Sequence, residues 1–118
     1  MNKSFFFLLV LFLFAGSDFA FAQTQAEMDE IAFKDFKKAD AELNKIYKEL
    51  MNSLSKTDKS LLITAQRNWL KYRDSHCEFE ANEYEGGSIQ PLIHSTCLTD
   101  CTKKRIEELI ISKNNRKH

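Results

Sequence analysis

Apolar residues recur three or four positions apart at Met28, Ala32, Phe36, Ala39, Leu43, Ile46, Leu50 and Leu54, with Lys, Asp and Glu on the opposite side. That spacing draws one apolar stripe along a helix. Thr24 and Glu27 stand in the S/T-x-x-E arrangement that satisfies free amides at a helix start, and no Gly or Pro interrupts the chain from there to Leu54. The pattern predicts one long amphipathic helix over residues 25–54, roughly 45 Å at 1.5 Å per residue. Ser55-Lys56-Thr57-Asp58 breaks the stripe and offers new N-caps. A second stripe runs through Leu62, Ala65, Trp69, Tyr72, Cys77 and Phe79 and fades by Tyr84. Gly86-Gly87 ends that helix, because glycine readily takes the left-handed backbone found just past helix C-termini. Ser88 or Gln90 then caps a third helix, with Pro91 in its first turn, where a missing N–H costs nothing. The third stripe is Leu92, Ile93, Cys97, Leu98, Cys101, Ile106, Leu109 and Ile110.

No segment alternates with period two, and no repeat or low-complexity stretch appears. Long helices joined by short connections pack antiparallel. The predicted fold is therefore all-α, an antiparallel helical hairpin assembly of about three helices. Leu43, Tyr47, Trp69 and Tyr72 are its expected core, with the Trp69 and Tyr72 rings as the central packing.

Ahead of the first stripe lies a different pattern. Lys3 precedes an apolar run over residues 5–14, and Ala20-Phe21-Ala22 then places small residues at the −3 and −1 positions of a cleavage site. This is the layout of a cleaved secretory signal, and the run is too short for a comfortable membrane span. Residues 1–22 are thus expected to be a leader and residues 23–118 the folded domain, periplasmic or secreted, with no span left after cleavage. No cysteine near the cleavage point supports a lipid anchor. A domain of this size has a modest core and often needs a covalent staple.

Charge removes one class of partner. The chain carries 17 basic and 17 acidic residues, and losing Lys3 with Asp18 keeps it neutral. Interleaved Lys and Glu on a neutral chain make no electrostatic case for nucleic acid. The terminal Lys113-Asn114-Asn115-Arg116-Lys117-His118 reads as a short solvated tail. There is no G-x-S-x-G, no H-E-x-x-H, no phosphate-cradling glycine loop and no nucleotide fingerprint. Glu78, Glu80, Glu83 and Glu85 read as a solvated face, since paired catalytic carboxylates need a cleft that spaces them and raises one pKa. The sequence points to a protein that is not an enzyme and carries no cofactor.

The three cysteines admit more than one arrangement. Positions 77 and 97 are symmetric about residue 87, so Cys77 and Cys97 lie level across the hairpin; 77 and 101 centre on 89, about one turn off register. Both pairings remain open on this ground. Export favours a bridge, and closing such a loop adds about 3 kcal/mol in the chain-entropy model. With Cys77–Cys97 paired, Cys101 is left as a buried thiol. The competing reading is zinc: His94, Cys97 and Cys101 fall at i, i+3 and i+7 on one face, and Cys77 or His76 completes a tetrahedron. Core positions share that spacing by necessity and export works against thiolate ligation, so no metal is expected.

Arg73 lies four residues after Trp69, Asp40 and Asn44 share a flank of the first helix, and Arg105 approaches from the third. Buried arginines require carboxylate or carbonyl partners. Asp40, Asn44, Gln66, Arg73 and Arg105 are therefore expected to form a polar network that sets helix register.

Four segments, "KADAELNKIYKELM" (38–51), "AQRNWLKYRDSHC" (65–77), "YEGGSIQPLI" (84–93) and "CLTDCTKKRIEEL" (97–109), carry a resemblance. The chain resembles the LprI-like lysozyme-inhibitor domain, a family of small exported helical bacterial proteins. The resemblance implies a helical fold outside the cytoplasm and the binding and inhibition of lysozyme. The Cys77 and Cys97 positions match the family, which supports that bridge. Ile31 stands where many members carry a cysteine, and Cys101 where relatives usually have an apolar residue.

The expected function is a non-enzymatic protein-binding module that inhibits lysozyme by surface contact. Typical lysozymes are cationic with a carboxylate-lined cleft, so an acidic protruding loop approaches by electrostatic attraction. Glu83, Tyr84, Glu85 and Ser88 are the candidate contacts, an aromatic anchor among acids beside a compact turn; the same residues also serve as the plain connector of the hairpin. Two alternatives stand beside this reading. One is a periplasmic immunity or envelope-stress protein with another partner; the other is a metal- or thiol-active protein using His94, Cys97 and Cys101. A monomer or weak dimer is expected, with Phe33 and Ile111 as apolar flanks available to an interface or to extra core.

Overall fold

Two short turns connect three helices, α1 (Lys3–Asn52), α2 (Lys56–Asn82) and α3 (Gln90–Asn115). The computed structural model describes residues 3–116, with side chains from 24 to 116. The described residues contain no strand, as the helical periodicity requires. The leader expected over residues 1–22 has its side chains outside the described residues.

Helix boundaries follow local chemistry, with three corrections. α2 stops at Asn82 with Glu83 in helical backbone (φ −56°, ψ −27°) at its cap, short of the Gly86-Gly87 pair expected to end it. Ser55 caps α2 from extended backbone (φ −64°, ψ 163°), its Oγ accepting the Asp58 N–H at 3.2 Å. Asp58 in the first turn also complements the positive end of the helix. α1, by contrast, does not begin near residue 25. It runs without a break from Lys3, so Thr24 and Glu27 lie inside a helix and do not start one. The third correction concerns α3, where neither Ser88 nor Gln90 caps the helix. Ile89 takes the cap position with helical backbone (φ −82°, ψ −14°) and no side-chain cap bond. The preceding turn supplies the acceptors: Gln90 N–H donates to Gly87 O at 3.3 Å and Ile93 N–H to Ile89 O at 3.1 Å. Pro91 in that first turn needs none.

Contacts set the directions. Cys77 meets Cys97, Arg73 meets Thr102, Gln66 meets Arg105 and Asp58 meets Arg116, so α2 and α3 run antiparallel. Phe36 clusters with Leu98, and Glu49 pairs with Lys113 at 2.7 Å, which makes α1 parallel to α3. That hydrogen bond and positive charge hold the Glu49 carboxyl below its ordinary range. α3 is thus the helix on which both others pack.

The core has two parts. Leu43, Leu50, Ile106 and Leu109 form one, with Ile46, Tyr47, Leu54, Leu62 and Trp69 packed around them. Phe36, Cys77 and Leu98 form the other, flanked by Cys97 and Cys101. Tyr72 does not belong to either. It is 58% exposed and Phe79 is 74% exposed, and the Tyr72 ring stacks on His76 at 5.4 Å outside the bundle. The buried line of α2 is Gln66, Arg73, Cys77 and Ala81. Tyr72 precedes Arg73 by one residue, about 100° around the helix, and the arginine holds the inward place.

Candidate functional site

The seam between α2 and α3 carries the chemistry of this molecule in three tiers: an arginine clasp, a sulfur cluster and the exposed turn. Arg73 is buried (side chain 8% exposed). Its Nη1 donates to Asp40 Oδ1 at 3.1 Å and to Thr102 Oγ1 at 3.4 Å, and its Nε donates to Asp74 Oδ1 at 2.9 Å. The same guanidinium lies 5.1 Å over the Phe36 ring and 5.3 Å over Trp69. Arg105 comes from α3, donating to Gln66 Oε1 at 3.0 Å and to Glu108 Oε2 at 2.8 Å. It contacts Trp69 at 5.8 Å.

Asp40, Gln66, Arg73 and Arg105 therefore meet, and Asn44 does not. Asn44 is exposed on α1, because the inward line of that helix runs through Phe36, Ala39, Leu43 and Leu50. Sequence reasoning missed Thr102, which is 0% exposed. Its place midway between Leu98 and Ile106, four residues from each, was the available signal. Among the described residues no buried side-chain nitrogen or oxygen lacks a partner. A satisfied guanidinium pair contributes register and packing; it offers no nucleophile and no proton acceptor to a substrate.

Above the clasp lie the sulfurs. Cys77 and Cys97 are bonded, their Cα atoms 5.5 Å apart, which closes the choice left open by the spacing. Cys101 is the free thiol among the described residues, half-buried, with Sγ 3.9 Å from Cys77 Sγ. Burial pushes the Cys101 thiol pKa up from its ordinary value. His94 does not join them. It lines a shallow pocket of about 240 Å³ with Glu78, Ala81, Gln90 and Pro91, nearer the turn. The imidazole at the sulfurs is His76, whose ring nitrogen and the Cys97 and Cys101 sulfurs all lie within 4.8 Å of one another. One helix alone suggested His94; the antiparallel register brings in the residue beside Cys77 from the other helix.

The turn crowns the hairpin. Glu83, Tyr84, Glu85 and Ser88 are all exposed. Backbone bonds from Tyr84 N–H to Ala81 O (3.0 Å), Glu85 N–H to Asn82 O (3.0 Å) and Gly87 N–H to Tyr84 O (2.9 Å) tie it down. Gly86 reverses the chain with φ +78°, a backbone that residues with a Cβ adopt at a cost. From Asp74 to Thr102 the hairpin holds six carboxylates and no Lys or Arg. The arrangement is a stiff acidic tip with one tyrosine on it. At the far end of the bundle, a groove of about 270 Å³ is lined by five leucines, Leu50, Leu54, Leu61, Leu62 and Leu109, and by polar residues that include Asp58, Arg105 and Arg116. Phe33 and Ile111 are 49% and 59% exposed. Over residues 24–116 no helical segment is long and apolar enough to cross a membrane.

These features define a small all-α bundle whose hairpin is stapled by a disulfide. The chain matches the lysozyme inhibitor LprI family over residues 19–109 and belongs to it. An uncharacterized protein of Rhizobium meliloti (strain 1021) is 39% identical over 101 residues, which cover 75% of this chain and 73% of the relative. No solved structure matches.

Proposed function

We propose that the protein is exported and inhibits lysozyme by surface contact, using the turn over residues 83–88 as its leading surface. Membership of an inhibitor family across residues 19–109 is the observation that carries this reading. The acidic tip adds a physical rationale. Five carboxylates from Glu78 to Asp100, with no Lys or Arg among them, attract a cationic enzyme and raise the rate of encounter. Tyr84, 40% exposed, supplies apolar area and a hydroxyl at little entropic cost, the usual character of an anchor residue. The disulfide below the turn holds it in shape before binding, which reduces the ordering penalty of association.

Residues 1–22 are the leader in this reading. Their removal leaves Gln23 at the N-terminus and gives Thr24 and Glu27 the helix-starting role that their spacing fits. The binding module acts without turnover of a small molecule. Titration of the oxidised domain into lysozyme, with calorimetry for binding and clearing of a cell-wall suspension for activity, tests the proposal. Saturable binding with slowed clearing is expected; neither heat nor slowed clearing at any ratio rejects lysozyme as the partner.

A further inference from the structure

We infer that the chain with its Cys77–Cys97 bridge reduced binds one zinc ion between α2 and α3 through Cys77, Cys97, Cys101 and His76. Disulfide and metal are then alternative staples for the same hairpin. Three thiolates and one imidazole make a closed tetrahedral zinc set. The His76 nitrogen and the Cys97 and Cys101 sulfurs already lie within 4.8 Å of one another. Cys77 Sγ lies 3.9 Å from Cys101 Sγ, close to the edge of about 3.8 Å that 2.3 Å zinc–sulfur bonds give a tetrahedron. Two ligands come from each helix, so the ion bridges the elements that the disulfide bridges. All of the members except Cys77 are half-buried, and the site is open to an entering ion.

A free thiol beside a disulfide also suggests exchange, and the geometry argues against it. Attack on Cys77 with Cys97 leaving requires the three sulfurs in line, which would put Cys101 Sγ about 6 Å from Cys97 Sγ for any ordinary disulfide. The two lie within 4.8 Å. The line of attack is therefore absent, and reduction frees the Cys77 and Cys97 sulfurs to separate and join Cys101 and His76 around an ion.

The redox balance is explicit. A phosphine or dithiol reductant supplies two electrons to the Cys77–Cys97 bond, which breaks to two thiols. Zinc then displaces the protons of three thiols and takes a lone pair from neutral His76. With the bridge intact only Cys101 and His76 remain as donors, too few for a tight site.

Cobalt(II) reports the coordination directly. The full chain, reduced with a phosphine and titrated anaerobically with cobalt, is expected to develop the visible bands of tetrahedral thiolate coordination at one ion per chain, bleached by zinc. The oxidised chain should stay colourless. Cys101→Ser should abolish the bands, and His76→Ala, at a half-exposed position that leaves the bundle folded, should weaken binding and shift the spectrum. No bands in the reduced wild type, or bands unchanged by either substitution, would overturn the inference.

Discussion

The guanidinium of Arg73 lies 5.3 Å over the ring of Trp69, one turn away on the same helix, while Arg105 from α3 reaches that ring at 5.8 Å. Two cations flank the single tryptophan and each is anchored by oxygen acceptors, so the aromatic is held in place by the partners of its neighbours. Cation–π contacts of this kind are worth roughly 0.5–2 kcal/mol, more as they are desolvated. The seam keeps α2 and α3 in register through paired charge as well as apolar area.

Arg73→Met should therefore be costly. It leaves the Asp40 carboxylate and the fully buried Thr102 hydroxyl without their donor. Asp40 is one-third exposed (33%), so solvent screens part of the loss, and a destabilisation of about 2–3 kcal/mol is expected. Lys71→Met, at an exposed position, should change stability by less than about 0.5 kcal/mol. Urea unfolding of the two variants measures the difference, and coincident midpoints would refute the clasp.

The same arginine marks where sequence reasoning succeeds and where it stops. Helix count and the α2 cap at Ser55 were legible, because period and capping chemistry are local properties, whereas hairpin symmetry left Cys77 open to Cys97 or Cys101. Tyr72 was misplaced because a hydropathy stripe ranks tyrosine above arginine, whereas three acceptors make Arg73 the better inward residue. Asn44 and His94 were misassigned for a related reason. Each lies near the right line on its own helix, but the rotation of the facing helix decides which side chain meets a partner. Thr102 needed that register, and so did the choice between His94 and His76, both of which the sequence offers beside the cysteines.

Sulfur chemistry separates two otherwise similar variants. The bridge closes a separation of 20 residues, so Cys77→Ser should lose about 3 kcal/mol and retain two free thiols. Cys97→Ser leaves Cys77 facing Cys101 at 3.9 Å between sulfurs. With oxidised glutathione as oxidant, that variant should form the replacement bridge, lose its free thiols and recover much of its stability. Thiol counting and thermal melting together decide it; identical behaviour of the two variants would speak against the sulfur geometry described.

Gly86→Ala isolates the backbone of the turn. A Cβ there meets nothing within 4 Å, but φ is +78°, so the expected cost is the left-handed penalty of roughly 1–2 kcal/mol without steric displacement. At Gly87 the added Cβ would stand 3.1 Å from the Tyr84 carbonyl oxygen, so Gly87→Ala should also move Tyr84. Amide chemical-shift changes confined to the turn in the first variant and spreading to Tyr84 in the second are the expected pattern.

Cys101 should be a slow nucleophile. Burial raises its pKa, and only the thiolate reacts with an alkylating reagent. A thiol with a raised folded-state pKa favours folding below its unfolded pKa, and that contribution is lost as pH rises through the folded value. Iodoacetamide labelling in buffer near neutrality should therefore lag behind labelling in urea, with the gap closing at alkaline pH. Equal rates at neutral pH would mean that Cys101 is not shielded.

Lysozyme inhibition by the oxidised domain, compared with the variant carrying Tyr84→Ala and Glu85→Ala, tests the proposed role most directly. Both side chains are exposed, so melting temperature should hold. The wild type should slow the clearing of a cell-wall suspension, and the variant should need at least about tenfold more protein for the same effect, as expected when an anchor residue worth about 1.4 kcal/mol or more is removed. Equal potency would move recognition away from the turn, and a wild type that leaves clearing untouched would contradict the inhibitory function itself.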